Sequence, residues 1–172
     1  MTPIAIRGEE VRDHGDVFTV HARAFPTPAE AKLVGALRAA GSATVSLVAE
    51  RDGRVVGHIL FSPVRVEAGG AGFDAIGLAP LAVLPEEQRS GIGQALTRAG
   101  LDACRRAGHD VVVVLGHPSY YPRFGFEPAA PRGLVYSGGR AFDGAFFVAE
   151  LAPGALAGRT GVVHYRPEFA RL

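Results

Sequence analysis

The sequence holds a single cysteine, Cys104, so it can form no intramolecular disulfide. Lysine is almost absent: Lys32 stands alone, and every other basic side chain apart from histidine is arginine. A net charge of +1 leaves no electrostatic footprint for nucleic acid or an anionic membrane, and neither partner is expected. No apolar run approaches the ~20 residues of a membrane span. The first residues, Met-Thr-Pro-Ile-Ala-Ile-Arg, lack the basic-then-apolar order of a secretion signal. A soluble cytoplasmic protein is therefore the expectation. The six histidines show no close paired spacing and the carboxylates do not cluster, so no metal is expected. No Gly-x-Ser-x-Gly elbow is present, which leaves a hydrolase triad without support.

What is present has ordinary globular composition, 48% hydrophobic and 20% charged. Its 172 residues suit one domain, with a core over 3–151 and a tail over 152–172. Ile4 to Arg7 reads as a first strand. A helix follows from Asp13 to Phe25, with Asp13 as its cap. Thr27, Pro28 and Glu30 mark the start of a second helix that stops at Gly41. Val45–Glu50 and Val55–Val66 read as a hairpin around Asp52-Gly53, with Pro63 marking a bulge or an end. Phe73–Leu84 would add a third strand to an antiparallel meander. An amphipathic helix over Ile92–Ala107 and a buried strand over Val111–Leu115 make a right-handed crossover with parallel strands. Tyr120–Phe126 reads as a short helix and turn. The glycine- and proline-rich stretch 129–144 reads as loop, with a short strand at Leu134-Val135-Tyr136. Ala145–Leu151 and Gly161–Tyr165 read as the last strands.

The stretch Gln88-Arg89-Ser90-Gly91-Ile92-Gly93 lies between a strand and a helix start. There the first backbone N–H groups have no partner within the helix, and the helix dipole adds partial positive charge. Glycines let the backbone come close to a ligand. Such a loop is a phosphate cradle, although glycine turns before helices are also frequent as plain turns. Two nucleotide alternatives weaken on inspection. A P-loop needs Gly-x4-Gly-Lys-Ser/Thr, which is missing. A dinucleotide fingerprint needs a small residue where Leu96 stands and an acidic one where the next strand ends in Leu115-Gly116.

Gln88-x-x-Gly91-x-Gly93 follows a strand ending Leu-Ala-Val-x-Pro. A helix, a buried strand and Tyr120-Tyr-Pro-Arg-Phe-Gly-Phe126 come after it. This order strongly resembles the GNAT superfamily of acyl-CoA-dependent N-acyltransferases. Leu78–Val83 together with Leu115–Phe126 is similar, more narrowly, to the YhbS-type bacterial acetyltransferases. The specific motifs cover residues 76–128. The resemblance implies an α/β (α+β) fold with a central, mostly antiparallel sheet, a splayed parallel strand pair and flanking helices. It implies transfer of an acetyl group from acetyl-CoA to an amine by direct attack in a ternary complex. Relatives are often dimers, so a homodimer is the expectation by analogy.

The resemblance also implies residue roles. The pyrophosphate of coenzyme A would rest on backbone N–H groups of Arg89, Ser90, Gly91, Ile92, Gly93 and Gln94, in the loop that Gln88 opens. Arg89 adds charge. The pantetheine arm would pair with backbone near Leu81, Ala82 and Val83. Ser119 and Phe124 are expected on the cofactor side of the Tyr120–Phe126 segment. Tyr121 takes the place of the general acid: a phenol near pKa 10 stays protonated at neutral pH and can donate to the leaving sulfur. The glutamate that many relatives use as base is replaced here by Gly77. His117 is the stand-in, with a surface loop histidine as its plainer reading; His58 and Glu150 are weaker candidates. Cys104 reads as a small buried side chain rather than an acyl carrier. A non-catalytic acyl-CoA sensor or interaction domain is the alternative, and a nucleotide-binding regulator is weaker. The acceptor is not named by the sequence; Phe25–Leu33 and Pro131–Asp143 are its expected walls.

Overall fold

A computed structural model describes residues 2–172, so Met1 lies outside the described residues. By its own contacts the chain divides into two compact units. One comprises residues 2–62, Pro80–Ala103 and Pro167–Leu172, the other Pro63–Ala79 and Cys104–Arg166.

The first unit opens with β1 (Ala5–Gly8), α1 (His14–Ala24), α2 (Ala29–Ala39) and β2 (Val45–Arg51). β3 (Arg54–Glu67) returns against β2 through Asp52 and Gly53, whose φ values of 54° and 75° make a tight hairpin turn. Both central residues are left-handed there, which is why Asp-Gly suits the position. β1 lies antiparallel on the other edge of β2, pairing Ala5 with Glu50. Asp13 does not cap α1. Its carboxylate is taken by Arg7 at 2.7 and 3.0 Å and by the Glu10 N–H at 2.8 Å, which closes a short 3-10 turn ahead of the helix. α2 starts one residue later than expected, with the Ala29 N–H reaching Thr27 Oγ1 at 3.3 Å.

β4 (Phe73–Val83) and α3 (Ile92–Arg106) complete the framework, and both run from one unit into the other. Within the first unit, α3 lies on β3 at two glycines. A Cβ on Gly57 would stand 2.9 Å from Leu96 Cδ1 and 3.2 Å from Ile92 Cγ2. A Cβ on Gly100 would stand 2.4 Å from the Phe61 ring. Helix and strand therefore approach more closely than side chains allow, and Ile92, Leu96 and Phe61 fill the contact as fully buried residues. Successive strand residues face opposite sides, so His58 points away from α3; there it meets His21 of α1.

In the second unit, β4 pairs in parallel with β5 (Val111–Leu115) through Ile76↔Val112 and Gly77↔Val113. The pairing stops there, although both strands continue. β6 (Glu127–Pro128) and β8 (Phe146–Glu150) follow on antiparallel rungs, Val113 facing Val148 and Glu127 facing Val148 from the other side. β7 (Leu134–Tyr136) lies parallel to β9 (Gly161–His164), which itself runs antiparallel to the end of β3. The expected parallel pair is β4 with β5, and among the described residues β7 with β9 makes a second. Pro63 causes no break in β3. It falls between the β2 rungs, which end at Phe61, and the β9 rungs, which begin at Arg65. Val66, Val111, Val113, Leu134, Phe146 and Val148 form the centre of this unit's core.

Candidate functional site

The loop after β4 belongs to the first unit. Arg89 and Gly91 both have left-handed backbone, φ 62° and 88°. For Gly91 this costs little. For Arg89 it is a strain that the surroundings must hold, the kind of outlier associated with ligand-binding backbone. The first i→i−4 bond of α3 in this region joins the Ala95 N–H to the Gly91 carbonyl at 3.0 Å. The N–H groups of Ile92, Gly93 and Gln94 therefore lead the helix, where no earlier turn can accept them. A Cβ on Gly91 would meet nothing within 4 Å, so the approach to this backbone is open.

Two expected contact residues turn their side chains to bracing. Gln88 Nε2 donates to the Val83 carbonyl at 3.0 Å, and Ser90 Oγ donates to the Glu87 carbonyl at 2.6 Å. Their backbone groups remain part of the loop. Two carboxylates precede the loop and would repel an anion if uncompensated. Glu86 is gripped by Arg23 at 2.9 Å through both oxygens and by Arg54 at 3.1 Å, and Glu87 pairs with Arg51. The Arg23 guanidinium, helped by backbone and Arg54, lowers the Glu86 pKa to about 2. Arg89 itself is exposed and makes no ion pair with a described residue, so its guanidinium is available. Left-handed loop backbone, a helix start and a free arginine suit a phosphate-bearing ligand.

Tyr121 belongs to the second unit. It opens a 3-10 turn, Tyr121–Phe124, that ends at Gly125 with φ 90°. Only 8% of it is exposed, and its ring lies on Gly116, where a Cβ would come 2.1 Å from Tyr121 Cε2. Glycine at the end of β5 is what lets the ring sit there. Tyr120 and Phe126 meet the ring edge-on, with centroids 5.0 and 5.6 Å away. Burial, and then Tyr120, push the phenol pKa well above its ordinary value, so it is protonated at every physiological pH.

His117 is exposed, and its Nδ1 accepts the Ser119 N–H at 3.3 Å and the Ser119 hydroxyl at 2.8 Å. Nδ1 is thus engaged within its own loop. Phe124 is half-buried against Tyr120, over which Arg123 stacks at 5.1 Å. Glu150 Oε2 accepts the Leu156 N–H at 2.8 Å and faces Arg132 at 3.5 Å, a structural use. Cys104 is fully buried, and its thiol is pushed up to about 12 by burial, which suits an inert core residue. Gly77, where a base would stand, has no room for a side chain: a Cβ would lie 2.9 Å from Val64 Cγ1 and 3.1 Å from Tyr165 Cε2. The sequence reading missed Tyr165, whose phenol is raised by burial. It also missed the arginine pairing of Glu86 and Glu87; the spacing of those residues carries no signal for either. Among the described residues no group of three His, Cys, Asp or Glu could hold a metal ion, and no helix is long and apolar enough to cross a membrane.

Comparison with known proteins adds a family model, described as an acetyltransferase (GNAT) domain, that matches residues 5–129. An uncharacterized N-acetyltransferase, YhbS, of Escherichia coli is 43% identical over 153 residues, covering 87% of this chain and 89% of that protein. The crystal structure of a GNAT family N-acetyltransferase (YhbS) from Escherichia coli in complex with CoA superposes with a TM-score of 0.94 at 40% identity, over 100% of this chain and 94% of that one. A GNAT family acetyltransferase from Brucella melitensis, in complex with acetyl-CoA, gives a TM-score of 0.80 at 37% identity, over 98% and 99%.

Proposed function

This chain belongs to the GNAT acetyltransferase family, and we propose that it carries an acetyl group from acetyl-CoA to the nitrogen of an amine by direct attack on the thioester. The observation that carries the donor assignment is the Gln88–Gly93 loop, with its left-handed Arg89 and Gly91 ahead of the open start of α3. Backbone N–H groups from Arg89 to Gln94 hold the pyrophosphate, and Arg89 adds a charge-assisted contact. Leu81, Ala82 and Val83 offer backbone to the pantetheine arm. The Val83 carbonyl is already shared with Gln88, so the weight falls on Leu81 and Ala82.

In the reaction the amine nitrogen bonds to the carbonyl carbon and the carbon–sulfur bond breaks. Tyr121 donates its proton to the departing sulfur. Its raised pKa keeps that proton in place until negative charge develops on sulfur. Ser119 and Phe124 support this segment. His117 acts at its margin, with Nε2 as its available nitrogen, because Nδ1 is held by Ser119. The match over residues 5–129 runs through both units, which supports reading the chain as one catalytic domain, and the relatives from Escherichia coli and Brucella melitensis support reading it as a bacterial enzyme.

Calorimetric titration with acetyl-CoA, CoA, ATP and NAD tests the donor, and thiol release across an amine panel tests transfer. Binding of acetyl-CoA and CoA alone is expected, with thiol release for at least one amine. A second reading, an acyl-CoA-binding module without turnover, draws on the filled space over Gly77, which admits no carboxylate. Binding without thiol release from any amine would favour it.

A further inference from the structure

The first unit buries a polar chain that the proposed reaction has not yet used. His21 on α1 and His58 on β3 are both fully buried. His21 Nε2 lies 2.8 Å from His58 Nδ1, and His58 Nε2 lies 2.8 Å from Ser46 Oγ on β2. Ser46 Oγ donates to Glu9 Oε1 at 2.8 Å, and Arg38 of α2 donates to Glu9 Oε2 at 2.6 Å. Five side chains from α1, α2, β2, β3 and the residue after β1 thus lie on one hydrogen-bonded line.

The line has a direction. A carboxylate accepts only, so the Ser46 proton goes to Glu9. Its single proton being spent, Ser46 can only accept from His58, which places the His58 proton on Nε2. His58 Nδ1 is then a bare acceptor, and His21 must donate to it from Nε2. That leaves His21 Nδ1 as a bare lone pair, buried and without a hydrogen-bond partner in the protein. A buried acceptor of this kind is a place for a water or ligand donor. The Phe25 ring stacks parallel to His21, with centroids 6.1 Å apart, at the end of α1. On the other side, the Leu84 N–H bonds to the Val56 carbonyl at 2.9 Å and joins β3 to the far end of β4. His58 therefore sits two residues along from that rung, in the strand beside the Leu81–Val83 segment proposed for the donor's arm.

We propose that His21, His58, Ser46 and Glu9 form a proton relay for the transfer reaction. In it His21 Nδ1 takes up, through one water molecule, the proton that the acceptor nitrogen loses, and the chain delivers a proton to Glu9. This rests on the acetyl-transfer reading. As the carbon–nitrogen bond forms and the carbon–sulfur bond breaks, sulfur receives the Tyr121 proton. The nitrogen's proton passes to water, and the water's own proton to His21 Nδ1. The His21 Nε2 proton moves to His58 Nδ1, the His58 Nε2 proton to Ser46 Oγ, and the Ser46 proton to Glu9 Oε1. Once the product has left, the shift runs back along the chain, His21 Nδ1 gives a proton to solvent water, and Tyr121 regains one, so the starting tautomers return and the cycle is neutral. The charged groups that act on the two imidazoles also suit a relay. Burial first, and then Arg38, lower His21 to about 4. Burial, His21 and Arg38 lower His58, while Asp13 acts the other way. Neither ring carries a second, resting proton that would block the next one.

The test joins nitrogen-15 NMR of the imidazoles in the wild-type protein with rates by thiol release. Both rings are expected as Nε2–H tautomers that do not titrate between about pH 8 and 5.5. Ser46→Ala, which cuts the chain, is expected to lower kcat/KM at least tenfold, to move the acid limb of its pH profile and to leave acetyl-CoA affinity within about twofold. Ser46→Thr, which restores a hydroxyl, is expected to recover the rate. A proton on His58 Nδ1, or a Ser46→Ala rate equal to wild type at every pH, overturns the relay. The tautomer measurement stands even if Ser46→Ala does not fold. No heat with acetyl-CoA in the wild type strikes at the donor reading itself. Normal heat with an unaffected Ser46→Ala rate strikes at the relay alone.

Discussion

In the first unit the Gln88–Gly93 loop presents backbone N–H groups, while the side chains of Gln88, Ser90, Glu86 and Glu87 brace it or are neutralised around it. In the second unit the arrangement is inverted. Tyr121 presents a side chain, and the backbone at Gly116 gives way to make room for its ring. The buried interiors differ in the same sense. Asp13, His21, Ser42, His58 and Thr97 are buried polar residues of the first unit, whereas the centre of the second is aliphatic and aromatic. The contrast has a physical root. A polyanion is met well by many weak, fixed dipoles, which any sequence with the right backbone can supply. A proton must leave from one atom, so that task falls to one residue whose pKa its surroundings adjust.

The contrast can be broken by substitution. Tyr121→Phe removes the proposed acid and keeps the ring on Gly116. Turnover should fall about a hundredfold or more, with acetyl-CoA affinity unchanged, as read by steady-state rates beside calorimetry. An unchanged rate at all pH values would show that the second unit contributes shape alone.

Acid should separate the two interiors next. The His21 pKa is lowered to about 4 in the fold, so the unfolded chain binds the extra proton first. The stabilisation is complete above the ordinary histidine value, near pH 6.5, and is lost as pH falls from there towards 4. The loss is on the order of 3 kcal/mol for His21, with His58 acting in the same direction. Urea titrations at pH 7, 5.5 and 4.5 measure it, and His21→Phe should flatten the trend.

Gly91→Val forces a β-branched residue to a φ of 88°. A cost of ~2 kcal/mol, about thirtyfold in acetyl-CoA affinity, is expected, with saturated turnover nearly unaltered. The smallest effect is expected for Arg89→Ala. Loss of one exposed charge contact should weaken acetyl-CoA by about 1 kcal/mol, and the difference should shrink as salt is raised.

Much of this was legible along the chain because it is local. The Asp52-Gly53 turn, the glycine loop ahead of α3 and the Tyr121-to-Phe126 turn each depend on backbone conformation within a few residues. The errors came where a local rule met a distant partner. Asp13 looks like a helix cap until Arg7 takes its carboxylate. Pro63 looks like a break until β3 is seen to change partners around it. Gly77 reads as a missing base, and only Val64 and Tyr165, both distant along the chain, explain why no side chain can stand there. His21 and His58, 37 residues apart, share no motif.

By itself, then, the sequence determined the order of strands and helices and the phosphate-suited loop. Both follow from periodicity and glycine conformation inside short segments, whereas the acid proposed at Tyr121 comes from the family resemblance of the Tyr120–Phe126 segment. Tertiary structure alone decided which carboxylates are neutralised, which glycines make room for rings, and that two histidines, a serine and a glutamate lie on one hydrogen-bonded line. Those outcomes depend on which distant side chains meet, and a one-dimensional pattern does not carry such meetings.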